Sequence, residues 1–133
     1  MTDDNKRANI AAELDRSRES LQAARVLIDS GLFRDAESRV YYAALHAVKA
    51  LLLTEGLDPR SHAAVAQRLG LHFIKTGRLE PGDGRLFARL QKYRLEADYS
   101  VEFVLTREAL EEDFAGCGAF VERARALIAL LLA

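Results

Sequence analysis

Cys117 is the only cysteine in the chain. An internal disulfide and a cysteine-based zinc cluster are thereby excluded, and with Phe114 and Phe120 close by in sequence the thiol reads as buried rather than nucleophilic. Neither sign of charge dominates. Against 20 acidic residues stand 19 basic ones, a net charge of −1, so no global field draws the molecule to nucleic acid and any RNA contact must come from a local patch. The C-terminal ALIALLLA falls far short of the roughly 18 apolar residues of a membrane span. MTDDNKRANI at the N-terminus has no apolar h-region, which argues against a secretory signal and for a cytoplasmic protein without membrane contact. A Gly-rich phosphate loop and a paired-histidine metal motif are also missing. Classical NTPase or metalloenzyme chemistry is set aside, and no metal or other cofactor is expected.

What is present is helix. Half of the 133 residues are apolar and 29% are charged, the balance of a soluble globular chain. Its length suits one domain over residues 1–133, with no repeat, low-complexity tract or linker to divide it. Ile10, Leu14, Ser17, Leu21, Ala24 and Ile28 recur at helical spacing and predict a first helix from about Lys6 to Ser30, closed by Gly31. A second covers about Phe33–Glu55 and stops at Gly56, with Pro59 beyond. Ser61 can cap a third, with Val65, Leu69 and Phe73 inward, ending at Gly77. After the turn-rich GRLEPGDG a fourth runs about Gly84–Tyr99, with Leu86, Leu90, Tyr93 and Ala97 on one side. The fifth starts at Thr106 with Leu105 and Leu110 placed as a hydrophobic staple. It turns Leu110, Phe114, Cys117, Val121, Ala124, Ile128 and Leu131 to the core. Short connections between long helices predict an all-α, up-and-down bundle of about five helices.

The second helix is unusual within that pattern. Its apolar positions, from Ala36 through Val40, Tyr41, Ala44 and Val48 to Leu52, cover an arc of roughly 200° at 100° per residue, about twice what an outer helix needs. It is therefore expected at the centre. Asp35, Arg39, Tyr42, His46 and Lys49 share the remaining strip of roughly 80°, each an i+3 or i+4 neighbour of the next. Such a strip can be an ordinary solvent edge, with Asp35–Arg39 an ion pair worth roughly 0.3–0.5 kcal/mol. Tyr42 and His46 favour a partly covered groove, because each joins an apolar body to a polar tip. His46 is the strip's one group that titrates near neutrality when unperturbed. Arginine supplies 15 of the 19 basic residues, which suits bidentate contact with carboxylates or phosphates.

SRVYYAALHAVKALL, then SHAAV, LHFIKTG and RLEADYS in that order, resemble the HEPN domain over about residues 35–131. The resemblance implies a helical bundle that commonly forms a homodimer or higher homo-oligomer. It also implies frequent pairing with a minimal, MNT-type nucleotidyltransferase as a toxin–antitoxin pair. Many members are metal-independent ribonucleases whose site is an Arg, four to six residues, then a His on a late helix. There acid–base groups assist attack by the ribose 2′-hydroxyl while the arginine holds the phosphate. In this chain Arg94 matches the arginine, but Tyr99 stands where a histidine is expected, and His46, His62 and His72 all precede it. An alternative for Arg94 is a lock with Asp98, one turn on. Some partner nucleotidyltransferases adenylylate a tyrosine near the motif, and Tyr99 is the nearest candidate.

Three readings follow. In the first, a HEPN-type partner of an MNT nucleotidyltransferase binds nucleotide or RNA phosphate between helices, using Arg39, Tyr42, His46, Lys49, Arg94, Asp98 and Tyr99. In the second, a metal-independent ribonuclease toxin works with Arg94 and His46 as catalytic residues. In the third, the chain is a non-catalytic oligomerisation module with the strip as plain surface.

Overall fold

Thr2 sets where the first helix begins. In the computed structural model, which describes residues 2–133, its hydroxyl accepts a hydrogen bond from the Asn5 N–H at 3.2 Å. Asp3 and Asp4 fill the first turn of α1 (Asp3–Asp29), where the helix dipole favours acids. The helix thus starts ahead of the expected Lys6, because a polar cap rather than core contact decides this end. Gly31, at φ 78°, closes it as expected. The Leu32 N–H reaches back to the Leu27 carbonyl at 2.9 Å in a left-handed cap.

α2 (Phe33–Thr54) is the hub of the bundle and touches each of the other four α-helices. Val40, Tyr41, Ala43, Ala44, Ala47, Val48, Leu51 and Leu52 are fully buried, so the broad apolar arc is filled on every side. α1 lies close against it because small side chains meet there. Ser17 is buried and donates its hydroxyl to the Ala43 carbonyl at 2.7 Å, satisfying a polar group that would be costly unpaired.

α3 (His62–Leu69) is capped by Ser61, whose hydroxyl accepts from the Ala64 N–H at 3.0 Å. It does not continue as one α-helix to Gly77. Gly70–Ile74 form a π-helical turn, closed by the Lys75 N–H on the Gly70 carbonyl at 2.8 Å. α4 (Pro81–Tyr99) begins before the expected Gly84. Pro81 suits a first helical position, and the Asp83 carboxylate accepts from the Glu80 N–H at 3.1 Å. Asp83 also pairs with Arg123 of α5. The buried face of α4 carries Phe87, Leu90 and Ala97, whereas Leu86 and Tyr93 are only half-buried. α5 (Arg107–Leu132) starts on Thr106, which accepts from the Ala109 N–H at 3.1 Å. Its inward row runs as expected to Ile128, but Leu131 is 37% exposed beyond the last covered turn.

Besides Asp83, two carboxylates inside the bundle escape the apolar pattern. Glu37 is fully buried and Asp113 nearly so, with Arg89 2.8 Å from one Asp113 oxygen. Both Glu37 oxygens and the second Asp113 oxygen lack any other partner among the described residues. Burial first, and then the Asp113 charge, push Glu37 up to about 8; at neutral pH it is protonated and can donate to Asp113. No helix among the described residues is long and apolar enough to cross a membrane.

Candidate functional site

Helical spacing delivers Arg39, Tyr42, His46 and Lys49 to one edge of α2, and α4 lies along that edge. There Arg94 donates from Nη2 to the Tyr42 hydroxyl at 3.1 Å. Its guanidinium also stands over two rings, 5.5 Å from the Tyr42 centroid and 5.8 Å from that of Tyr41. Arg39 covers Tyr42 as well, at 5.7 Å. The His46 and His62 rings lie 6.4 and 6.3 Å from it. Tyr42 is therefore the meeting point of two guanidinium groups and two imidazoles, a setting in which cation–π attraction fixes the cations.

Arg94 and Asp98 form the expected lock, Nε to carboxylate at 3.1 Å, with the arginine side chain 16% exposed. Asp35 is not part of the cluster. It makes no ion pair with Arg39 among the described residues, and instead lines a hollow with the Gly31–Arg34 turn and Phe103. Tyr99 points away too: it is 78% exposed and makes none of these ring or hydrogen-bond contacts. Arg39 has no carboxylate partner among the described residues, which leaves its charge free for a ligand.

Two residues outside the α2 strip complete the setting. Glu13 of α1 holds His46 through Nδ1 at 2.7 Å. Burial alone would raise the Glu13 carboxyl, but the hydrogen bond to His46 and the charges of His46, Lys49 and Arg16 together hold it below its ordinary value. The pair leaves the other ring nitrogen, Nε2, available. His62, from the first turn of α3, is shifted down by burial and by the Arg94 and Lys49 charges, so its neutral form is favoured near pH 7. Neither residue was accessible to spacing rules, since both reach the cluster only through packing between helices. The Ser61 cap was the one local clue, because it fixes where His62 leaves the turn.

Beside the cluster, Arg16 joins two hollows along the α1–α2 groove. One, of about 430 Å³, includes Arg39 and His46 together with Glu19; the other, of about 350 Å³, includes Lys49 and Arg60 together with Glu13 and Asp58. Phosphate oxygens suit such a set of donors, because charge-assisted hydrogen bonds from arginine are short and strong. No three His, Cys, Asp or Glu side chains converge as metal ligands among the described residues. Cys117 takes no part: it is fully buried, its thiol is pushed up to about 12 by burial, and its sulfur lies 3.3 Å from the Val40 carbonyl.

Comparison with known proteins gives one family. The family model described as HEPN domain matches residues 11–128. A protein of Methanocaldococcus jannaschii named "Putative toxin MJ0605" is 40% identical over 103 residues, 77% of each chain. A second from that organism, "Putative toxin MJ0142", is 33% identical over 98 residues, 74% of this chain and 67% of its own. "UPF0332 protein PH1297" of Pyrococcus horikoshii is 48% identical over 62 residues, 47% of this chain and 44% of its own.

Proposed function

Because the chain belongs to the HEPN domain family, we propose that it is the HEPN member of a toxin–antitoxin-like pair, forming a homo-oligomer and partnering an MNT-type nucleotidyltransferase. In this reading the polar edge of α2, between Arg94 of α4 and the hollows of the α1–α2 groove, binds nucleotide or RNA phosphate. Arg39, Lys49 and Arg94 supply charge, and Tyr42, His46 and the neighbouring His62 supply ring surface. Asp98 is the counter-charge that an incoming phosphate displaces from Arg94. Tyr99, exposed at the end of α4, is the tyrosine open to modification by the partner. The observation that carries the reading is the convergence of Arg39 and Arg94 on the Tyr42 ring. Both guanidinium groups lie against the same ring, and of the two only Arg94 has a carboxylate partner among the described residues. The toxin names of two relatives support the pairing.

The test is co-expression with an MNT-type nucleotidyltransferase from the same genome, followed by titration of the purified protein with nucleotide and with short oligoribonucleotide. Association with the partner, and ligand affinity falling about tenfold or more in Arg39→Ala and Arg94→Ala, are expected. A partner that fails to associate, with no heat on either titration, removes the proposal.

A second reading, the metal-independent ribonuclease, is favoured by one feature: the Glu13 carboxylate orients His46, as a general acid–base imidazole requires. Arg94 then holds the phosphate while His46 moves the proton. It predicts RNA cleavage in EDTA that is lost in both His46→Ala and Arg94→Ala, and wild-type protein that leaves RNA intact rules it out.

A further inference from the structure

The connection between α4 and α5 presents apolar side chains to water yet is held in shape. Val101 is 94% exposed, Val104 82% and Tyr99 78%. Arg34 of α2 ties the same stretch down, donating to the carbonyls of Ala97 at 2.7 Å, Ser100 at 2.9 Å, Val101 at 3.4 Å and Phe103 at 3.0 Å. The Phe103 ring anchors it further on Tyr93, 6.0 Å between centroids. An ordered loop loses less entropy on binding than a loose one, so this stretch is prepared for a contact. Its one charge is acidic: Glu102 lies between the two valines and is in no ion pair among the described residues.

Elsewhere on the molecule is a receptor of matching character. α3, its π-helical turn and the first half of α4 enclose a hollow of about 430 Å³. Its walls include Ala66, Gly70, Ile74 and Phe87, and its two charged lining residues, Lys75 and Arg85, are cations. Neither is in an ion pair among the described residues. A side chain added at Gly70 would meet nothing within 4 Å, so a helical glycine here leaves space that the fold itself does not use. The π turn belongs to the same wall, and such turns gather at functional positions.

We infer that the Val101–Val104 segment of one copy of this chain seats in the α3–α4 hollow of a second copy, with Glu102 between Lys75 and Arg85. The inference rests on the self-association in the function proposed above and gives that association a defined joint. The two exposed valines meet its apolar walls, and the acid–cation match sets the polarity of the contact. Exposed Leu71, on the π turn, extends the apolar area towards the size a stable dimer needs. If each copy both gives and receives, the assembly closes as a two-fold dimer; otherwise the joint repeats around a ring. The joint also reaches the site already described. Phe87 of the hollow stacks on Tyr41 at 5.9 Å between centroids, and Tyr41 lies under Arg94.

Sedimentation of the full chain over a concentration series tests this. The wild type is expected to self-associate, and Val101→Asp and the double variant Lys75→Glu/Arg85→Glu are each expected to weaken association about tenfold or more. All these positions are exposed, and unchanged circular dichroism and melting confirm the fold. Mixing Lys75→Glu/Arg85→Glu with Glu102→Lys is expected to restore a mixed assembly through the reversed charges. A wild type that stays monomeric overturns the inference together with the self-association it rests on. A wild-type oligomer indifferent to both sets of variants overturns this joint alone and leaves the proposed function standing.

Discussion

Glu37 is the residue whose behaviour departs most from its sequence context. An acid on a mostly apolar helix normally looks outward, and nothing in its spacing says otherwise; only the arrival of Asp113 from α5 explains its burial. Its pH effect has a definite sign. The unfolded carboxyl releases its proton near 4.5 and the folded one near 8, so the folded state binds more protons in between. Stability from this group is full below the first value, declines as pH rises through the interval, and levels off above the second. Glu37→Gln keeps a donor for Asp113 and removes the decline. Urea unfolding at about pH 5 and about pH 9 is expected to show a smaller stability difference for the variant than for the wild type. Glu13 has the opposite sign. Its carboxyl is held below the ordinary value of 4.5, so its contribution is present above that value and lost as the pH falls below it. Glu13→Gln is expected to cost about 1–2 kcal/mol near neutrality, and that cost should vanish on acidification.

Among the elements, helix ends were legible where glycine or a hydroxyl marks them. Gly31, Gly56 and Gly77 all adopt positive φ, and Ser61 and Thr106 both cap as their sequence position implies. Ends set by longer reach were not. α4 begins at Pro81 because Asp83 folds back on Glu80, and the α3 region changes to a π turn at Gly70 with no local signal to mark it. The wheel of α2 gave its central place and its polar edge, since both depend only on helical rotation. Which neighbours complete that edge depended on packing, so Glu13, Arg16 and His62 stayed hidden while Asp35 was grouped with residues it does not join. Arg34 gives a prediction at this scale. Its guanidinium serves the Ala97 carbonyl of α4 and three carbonyls of the α4–α5 connection, and Arg34→Ala is expected to speed amide exchange over residues 100–105 by about tenfold or more while leaving α2 protected.

Across the whole molecule, one buried rod carries the stability. α2 packs against each of the other four α-helices, and its inner side chains have no exposed surface on which to relax. Leu51, fully buried, is the direct test: Leu51→Ala is expected to cost about 2–5 kcal/mol, a large part of the net stability of a domain this size. The shift should appear in the denaturation midpoint with its slope unchanged. Tyr41 sits at the same centre, its hydroxyl without a partner among the described residues and pushed up to about 12 by burial. Its ring bridges the core to the arginine of the candidate site, so a change in how the bundle is packed is felt at that groove. Cys117 leaves experimenters a further opportunity. With the chain's sole native sulfhydryl sealed in the interior, a cysteine engineered anywhere on the surface would be the one accessible to a fluorophore, a spin label or a gold particle, so distances and motions can be measured in the otherwise unaltered protein.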